Sequence, residues 1–393
     1  MQAYIADWLN LLIRWSHMIA GIGWIGASFY FIALDVSLKK REKMNEGVYG
    51  TAWEVHGGGF YHVEKYMVAP KHLPDDLIWY KWEAYLTFLT GFALLIVQYY
   101  FNARAYLIDP NVLAMTPAEA ILISVASLAA GWFAYDGLCR SALGRNTPVL
   151  AVVVFALIVG AAYLFTHVFS GRGALIHVGA FVGTIMAANV FRVIIPNQRK
   201  IVASLLKGEA PDPRLGAIGK QRSVHNTYLT LPVLLMMVSN HYPMLTNHPQ
   251  SWLLVALILV VGGTARHFWV RHEAGDPTAK ILWAPGVAAL GLVAALILTA
   301  PRTNPALAGV TVSDADILAL TARHCTMCHA AKPSHDGFAE APKGVTLQKI
   351  EDIRRYAALI EQQAVKSDAM PLGNETGITT AERDKLGAWI ARQ

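Results

Sequence analysis

Only three cysteines, Cys139, Cys325 and Cys328, occur in the 393 residues of this chain. A structural zinc site needs a second ligand pair, and Cys139 stands alone in an apolar segment far upstream, so zinc lacks its ligands. A thioredoxin-like redox pair needs a βαβ setting, and that is absent too. Charge is scarce: 15% of residues are charged, against an average of about 25%. No segment alternates apolar and polar residues as a membrane strand does. The first apolar stretch lacks the basic start of a signal peptide, carries Arg14 and His17, and runs too long for one. Acidic residues are missing from mid-span: Asp35, Glu83 and Asp136 all fall near span ends, which gives an ion-coupled transporter little support.

What is abundant is apolar sequence, 54% of the chain. Eight stretches, near 11–38, 83–101, 119–139, 149–168, 173–195, 223–241, 251–270 and 281–300, are long enough to span roughly 30 Å of hydrocarbon as helices. The expected fold is all-α: an eight-span transmembrane bundle over 1–300, a linker over 301–312, and a small, more polar domain over 313–393. Lys and Arg crowd the loops after spans 1, 3, 5 and 7, whereas the loops after spans 2, 4 and 6 hold only Arg104 and Arg172. The positive-inside rule then puts both termini outside. The net charge of +6 is mostly cytoplasmic-loop charge facing anionic membrane lipid, and no nucleic-acid partner is needed to explain it.

Within the last segment, Cys325-Thr326-Met327-Cys328-His329 has the C-x-x-C-H form of a c-type haem attachment site. Two thiols at this spacing add across the haem vinyl groups, and the adjacent imidazole becomes an axial iron ligand. Met370, in Ala369-Met370-Pro371-Leu372-Gly373, is the expected sixth ligand, since a thioether raises the potential relative to two imidazoles. One covalent haem c is therefore expected, with His329 and Met370 on its iron, which makes 313–393 a small class I-like cytochrome c domain; with the termini outside, that places it in the periplasm of a bacterial inner-membrane protein.

Polar groups at membrane depth are functional by default. Histidines sort into an outer layer, His17, His167, His177 and His241, and an inner one with His225 and His267. Two layers suit one or two bis-histidine b-type haems; helix-end capping or headgroup contact is the alternative. The loop His56-Gly57-Gly58-Gly59-Phe60-Tyr61-His62 allows positive φ and close approach of backbone to a ligand, or is a flexible turn. It lacks the Gly-Lys-Ser/Thr end of a phosphate loop. A second concentration, Asn189, Arg192, Asn197, Gln198, His225 and Asn226, surrounds the cytoplasmic ends of two spans. Arg192 has the rigid donor fork suited to a planar anion; alternatively Arg192 and Arg222 only mark the interface.

The combination of Trp15-Ser16-His17, the glycine-histidine loop and Lys81-Trp82-Glu83-Ala84-Tyr85 with a C-terminal Cys325-x-x-Cys328-His329 domain resembles the bacterial integral-membrane urate oxidases fused to cytochrome c. The likeness runs over essentially the whole chain. It implies an oxidoreductase that converts urate to 5-hydroxyisourate and passes electrons to the fused haem rather than to dioxygen, and from there to a periplasmic or membrane acceptor of the respiratory chain. A neutral imidazole, His225 or His62, suits the general base such a reaction needs near neutral pH, with Arg192, Asn189 and Asn226 as candidate substrate contacts. The alternative is an electron-transfer cytochrome, or a subunit of a respiratory or transport complex, with no substrate site of its own; one span would suffice for an anchor, and eight argue against it.

Overall fold

In the computed structural model, the residues described are 2–66, 74, 76–300, 312–335, 338–366 and 369–393. The chain is 71% helical. The first part comprises α1 (Gln2–Ser37), a β1 (Val48–His56) and β2 (Gly59–Tyr66) hairpin, α2 (Trp82–Leu95), α3 (Ala103–Tyr106), α4 (Pro117–Arg140), α5 (Thr147–Thr166), α6 (Gly171–Ala188) and α7 (Ile195–Leu206). It continues through α8 (Pro213–Val238), α9 (Pro243–Thr246), α10 (Ser251–Glu273), α11 (Thr278–Ile281) and α12 (Trp283–Leu298). Wide π turns extend α2 through Ile96–Tyr100 and join α6 to α7 through Asn189–Ile194.

Among the described residues, six helices are long and apolar enough to cross a membrane: Tyr4–Ser37, Pro117–Arg140, Thr147–Thr166, Gly171–Leu206, Ser251–Glu273 and Thr278–Leu298. The stretches expected near 83–101 and 223–241 are also helical, within extended α2 and in α8. They carry Glu83 and Gln98, and Arg222, His225 and Asn226, which lowers their hydropathy. Leu290, Leu296 and Ile297 on α12, like Trp15, Ile19 and Ile22 on α1, are exposed. Water would penalise that surface at about 25 cal/mol per Å², whereas lipid would not, which is consistent with membrane association.

The bundle is organised around α6. Two-thirds (67%) of its most apolar window is buried, against 11% for α1, because α2, α4, α5 and α8 all pack on it. Its small and branched residues (Ala174, Val178, Val182, Ile185) let those neighbours close in. Helix α1 lies mainly on α2, and α10 lies between α12 and α8. Where each helix begins is written locally: Thr116 and Glu119 form a capping box on α4, and the Asn146 and Ser170 side chains cap α5 and α6.

The all-α expectation needs one correction. The glycine-histidine loop is the tip of a two-stranded antiparallel hairpin in which His56 pairs with Gly59. Gly57 and Gly58 have φ of +60° and +79°, the signature of a primed two-residue turn that only glycine-like residues adopt easily. Those glycines serve chain reversal. His62 faces outward and stacks on Trp53, with ring centroids 4.4 Å apart.

The expected linker, 301–312, lies outside the described residues except for Val312. Beyond it, α13 (Asp314–His324), α14 (Ile350–Arg355), α15 (Ala357–Ile360) and α16 (Thr380–Ile390) surround a separate core of Ile317, Leu320, Leu347, Ile353, Leu386 and Trp389. The Trp389 indole N–H donates to Asp314 at 2.8 Å, tying the first and last of these helices together. At the start of α16, the backbone and hydroxyl of Thr379 donate to Glu382 at 2.9 and 2.8 Å. They hold its carboxyl down to about 2. This small body rests on the bundle through the turn Leu372–Asn374, which meets α3. Gly373 has φ of +57°, and a Cβ there would stand 2.9 Å from the Arg104 carbonyl oxygen, so both conformation and space require glycine.

Candidate functional site

Three constellations carry chemistry. The first follows α13, where Cys325 and Cys328 are free thiols on the turn that presents His329. The His329 Nδ1–H donates to the Val345 carbonyl at 2.9 Å, which fixes the ring and leaves Nε2 for a metal, the usual arrangement around a ligating imidazole. Cys325 packs against the apolar core of this body. Met370 packs against the same core. Its N–H donates to the Gln363 carbonyl at 2.8 Å, and its carbonyl accepts from the buried Arg383 guanidinium at 2.7 Å. Two thiols, an oriented imidazole and a thioether on a fixed loop fit a covalent haem. Among the described residues no cluster of three or more His, Cys, Asp or Glu side chains is placed to hold a metal ion.

The second constellation lies between α4, α8 and the π turn after α6. Tyr135 Oη and His225 Nδ1 are 2.7 Å apart. The Asn189 amide donates to Tyr135 Oη at 3.1 Å and to Asn226 Oδ1 at 2.9 Å, and Asn226 in turn donates to the Met186 carbonyl at 2.9 Å. Since Asn189 donates to the phenol oxygen, the Tyr135 hydroxyl is free to donate to His225. Beside them Arg222, 1% exposed, pairs with Asp136 at 2.7 Å and lies over the Tyr135 ring, 5.0 Å from its centroid. Arg222 Nε and Nη1 and Asn189 Oδ1 are buried without a partner among the described residues. Native interiors rarely leave such groups unmade.

The third is a cavity of about 660 Å³ walled by α1, α2, α6 and α8. It reaches from Met186, next to the polar cluster, to Lys343 and Gln363 of the C-terminal body. His17 and His241 both line it. A smaller cavity of about 190 Å³ lies where the Ala369–Asn374 loop meets the bundle, beside Arg172 and His248.

With this geometry in view, residues 3–299 match the family described as urate oxidase N-terminal. The chain belongs to the urate oxidase N-terminal family. No curated protein and no solved structure matches it significantly. The family match supports a urate-related oxidation function, and it stops one residue short of the boundary expected at 300, so it covers the bundle and leaves the C-terminal body outside.

Within this urate oxidase domain the expected substrate residues divide. His225, Asn189 and Asn226 come together. Arg192 is exposed, because the π turn rotates it away from Asn189, and His62 sits on the exposed hairpin; neither joins the cluster. Arg222, Tyr135 and Asp136 belong to it, although Arg222 reads in sequence as an interface marker. The signal for them was an ionisable pair inside apolar helices, Asp136 and Arg222, which needs a partner to be tolerated. The histidine layers divide as well. His177 spends both ring nitrogens, on the Gly173 carbonyl and the Ser124 hydroxyl, each at 2.6 Å. His167 is exposed and donates to the Tyr163 carbonyl at 2.7 Å. His267 bonds Tyr228 at 2.9 Å and leans on Trp283. None of these three lines the large cavity, whereas His17 and His241 do.

Proposed function

We propose that the protein is an eight-span bacterial inner-membrane enzyme that oxidises urate to 5-hydroxyisourate and passes the electrons to a fused periplasmic haem c, not to dioxygen. The observation that carries this reading is the set of unmatched polar atoms around Tyr135 and His225, in a bundle whose family acts on urate. Urate is a flat anion with carbonyl oxygens along one edge and ring N–H groups along another. The free Nε–H and Nη1–H donors of Arg222 can each meet a carbonyl oxygen, and the free Asn189 Oδ1 accepts from a ring N–H. A further reason for an anion here is that the Asp136 carboxylate is shared between Arg222 and Arg140, at 2.7 and 2.6 Å, so the cluster carries net positive charge.

The reaction consumes one water and releases two protons and two electrons. Tyr135 is positioned to take up a proton from urate or water while its own passes to His225 Nδ1, so the pair works as a relay ending in a neutral imidazole. Asn189 fixes the phenol and Asn226 fixes Asn189, which keeps the relay aligned without adding charge. Cys325, Cys328, His329 and Met370 would hold haem c, which would supply a one-electron acceptor at the periplasmic side, and a periplasmic or membrane-bound acceptor of the respiratory chain would take the electrons onward.

A second location for urate, the interface cavity of about 190 Å³, is favoured by one observation: Asn374 Oδ1 is buried there without a partner among the described residues. Under argon, with ferricyanide as terminal acceptor, the purified protein is expected to consume two ferricyanide ions per urate. An absolute requirement for dioxygen, with hydrogen peroxide as product, would refute the proposed electron route.

A further inference from the structure

We propose that the large cavity of the bundle is the site of a second, non-covalent haem, with His17 and His241 as its axial ligands. Its volume of about 660 Å³ lies inside the about 300–1,000 Å³ range of cofactor pockets. Its lining offers both characters of a protohaem's surroundings. Arg14, Arg172 and Lys343 line it and would meet two propionates, and Arg172 Nε is buried without a partner among the described residues. Apolar side chains, Phe88, Phe92, Leu128 and Val233 among them, form much of the remaining wall.

Flatness is also built in. Gly21 and Gly183 line the cavity, and a Cβ at either would stand in open space, so both leave room for a planar ring. His17 has the orientation of a ligand. A Cβ on Gly91 would stand 2.8 Å from His17 Cε1, so the ring lies directly on the α2 backbone. Its Nδ1–H donates to the Thr87 carbonyl at 3.0 Å, which leaves Nε2 as the free lone pair, as in the second shell of ligating histidines. This repeats the arrangement of His329 with Val345. His241, from the turn after α8, lines the same space and supplies the other imidazole.

The site rests on the urate reading only for the source of its electrons. A haem held here would accept electrons from urate bound at the polar cluster beside Met186 and pass them, one at a time, to haem c. The haem count itself is independent of urate turnover, so either proposal can fail alone.

The test uses the full-length protein purified in detergent after haem c attachment. Acid-acetone extraction removes non-covalent haem and leaves haem c, and a pyridine haemochrome spectrum quantifies each fraction. Equal amounts of extractable haem b and covalent haem c are expected. His17→Ala should lower the extractable fraction at least tenfold with haem c unchanged, and His167→Ala should leave both fractions intact. Gly183→Phe, which touches no ligand and projects into open space, should also expel the haem. Ferrous haem b should refuse carbon monoxide in the native protein and bind it in His241→Ala. Native protein without extractable haem b, or full retention in His17→Ala, would overturn the site; carbon monoxide binding to native haem b would overturn His241 as a ligand.

Discussion

His225→Gln is expected to lower urate kcat/KM by about 10²- to 10⁴-fold, the range typical of losing a positioned general base, while haem c content stays unchanged. Glutamine keeps a polar group of similar reach, so it can still hold the Tyr135 hydroxyl, but it cannot accept and hold a proton near neutral pH. The relay then lacks its terminus. Tyr135→Phe should produce a comparable loss, because it breaks the 2.7 Å contact from the other side. The two losses should be far from additive in the double variant, as expected of groups that act as one unit. Steady-state kinetics with ferricyanide as acceptor would read all three. Unchanged turnover in His225→Gln would move urate out of the inner cluster and to the interface cavity beside Asn374.

Replacing both attachment thiols, Cys325→Ser with Cys328→Ser, is expected to reduce covalent haem to background and to stop urate-driven reduction of an external acceptor. The physical cause extends beyond redox chemistry. The C-terminal body is about 80 residues, short for an unaided core, and Cys325 and Met370 pack against that core. Without the macrocycle this small core loses a large apolar partner, so the segment should also become sensitive to protease while the bundle remains intact. Haemochrome analysis of denatured protein and limited proteolysis would measure the two effects separately. Full electron delivery from urate in the doubly substituted protein would remove haem c from the route.

Much of this organisation could be read from the chain. The C-x-x-C-H spacing points to a haem site with His329 and Met370 as its ligands. The structure adds the Val345 and Gln363 contacts that hold those two residues in place. Apolar runs located the helices because lipid-facing and core-facing residues are alike in composition. The same likeness concealed the buried polar cluster: a sequence does not tell which side of an apolar helix faces its neighbours. Arg192 and Arg222 both end apolar runs, yet the π turn at Asn189–Ile194 leaves the first exposed, while the second is buried against Tyr135. The glycine-histidine segment misled for a different reason. Positive φ serves a ligand cradle and a hairpin turn equally well, and only strand pairing on either side decides between them. Histidine count likewise overstated the haem ligands, since His177 and His167 meet their needs through nearby backbone and hydroxyl groups.

The central claim is that electrons from urate reach haem c within a single molecule. Urate mixed with the oxidised, purified protein in the absence of oxygen tests it most directly, with the reduced haem c absorption followed over time. The account predicts that haem c becomes reduced without any mediator and that 5-hydroxyisourate forms in step with the electrons delivered. A haem c that stays oxidised in the presence of urate, yet is reduced normally by dithionite, would contradict it.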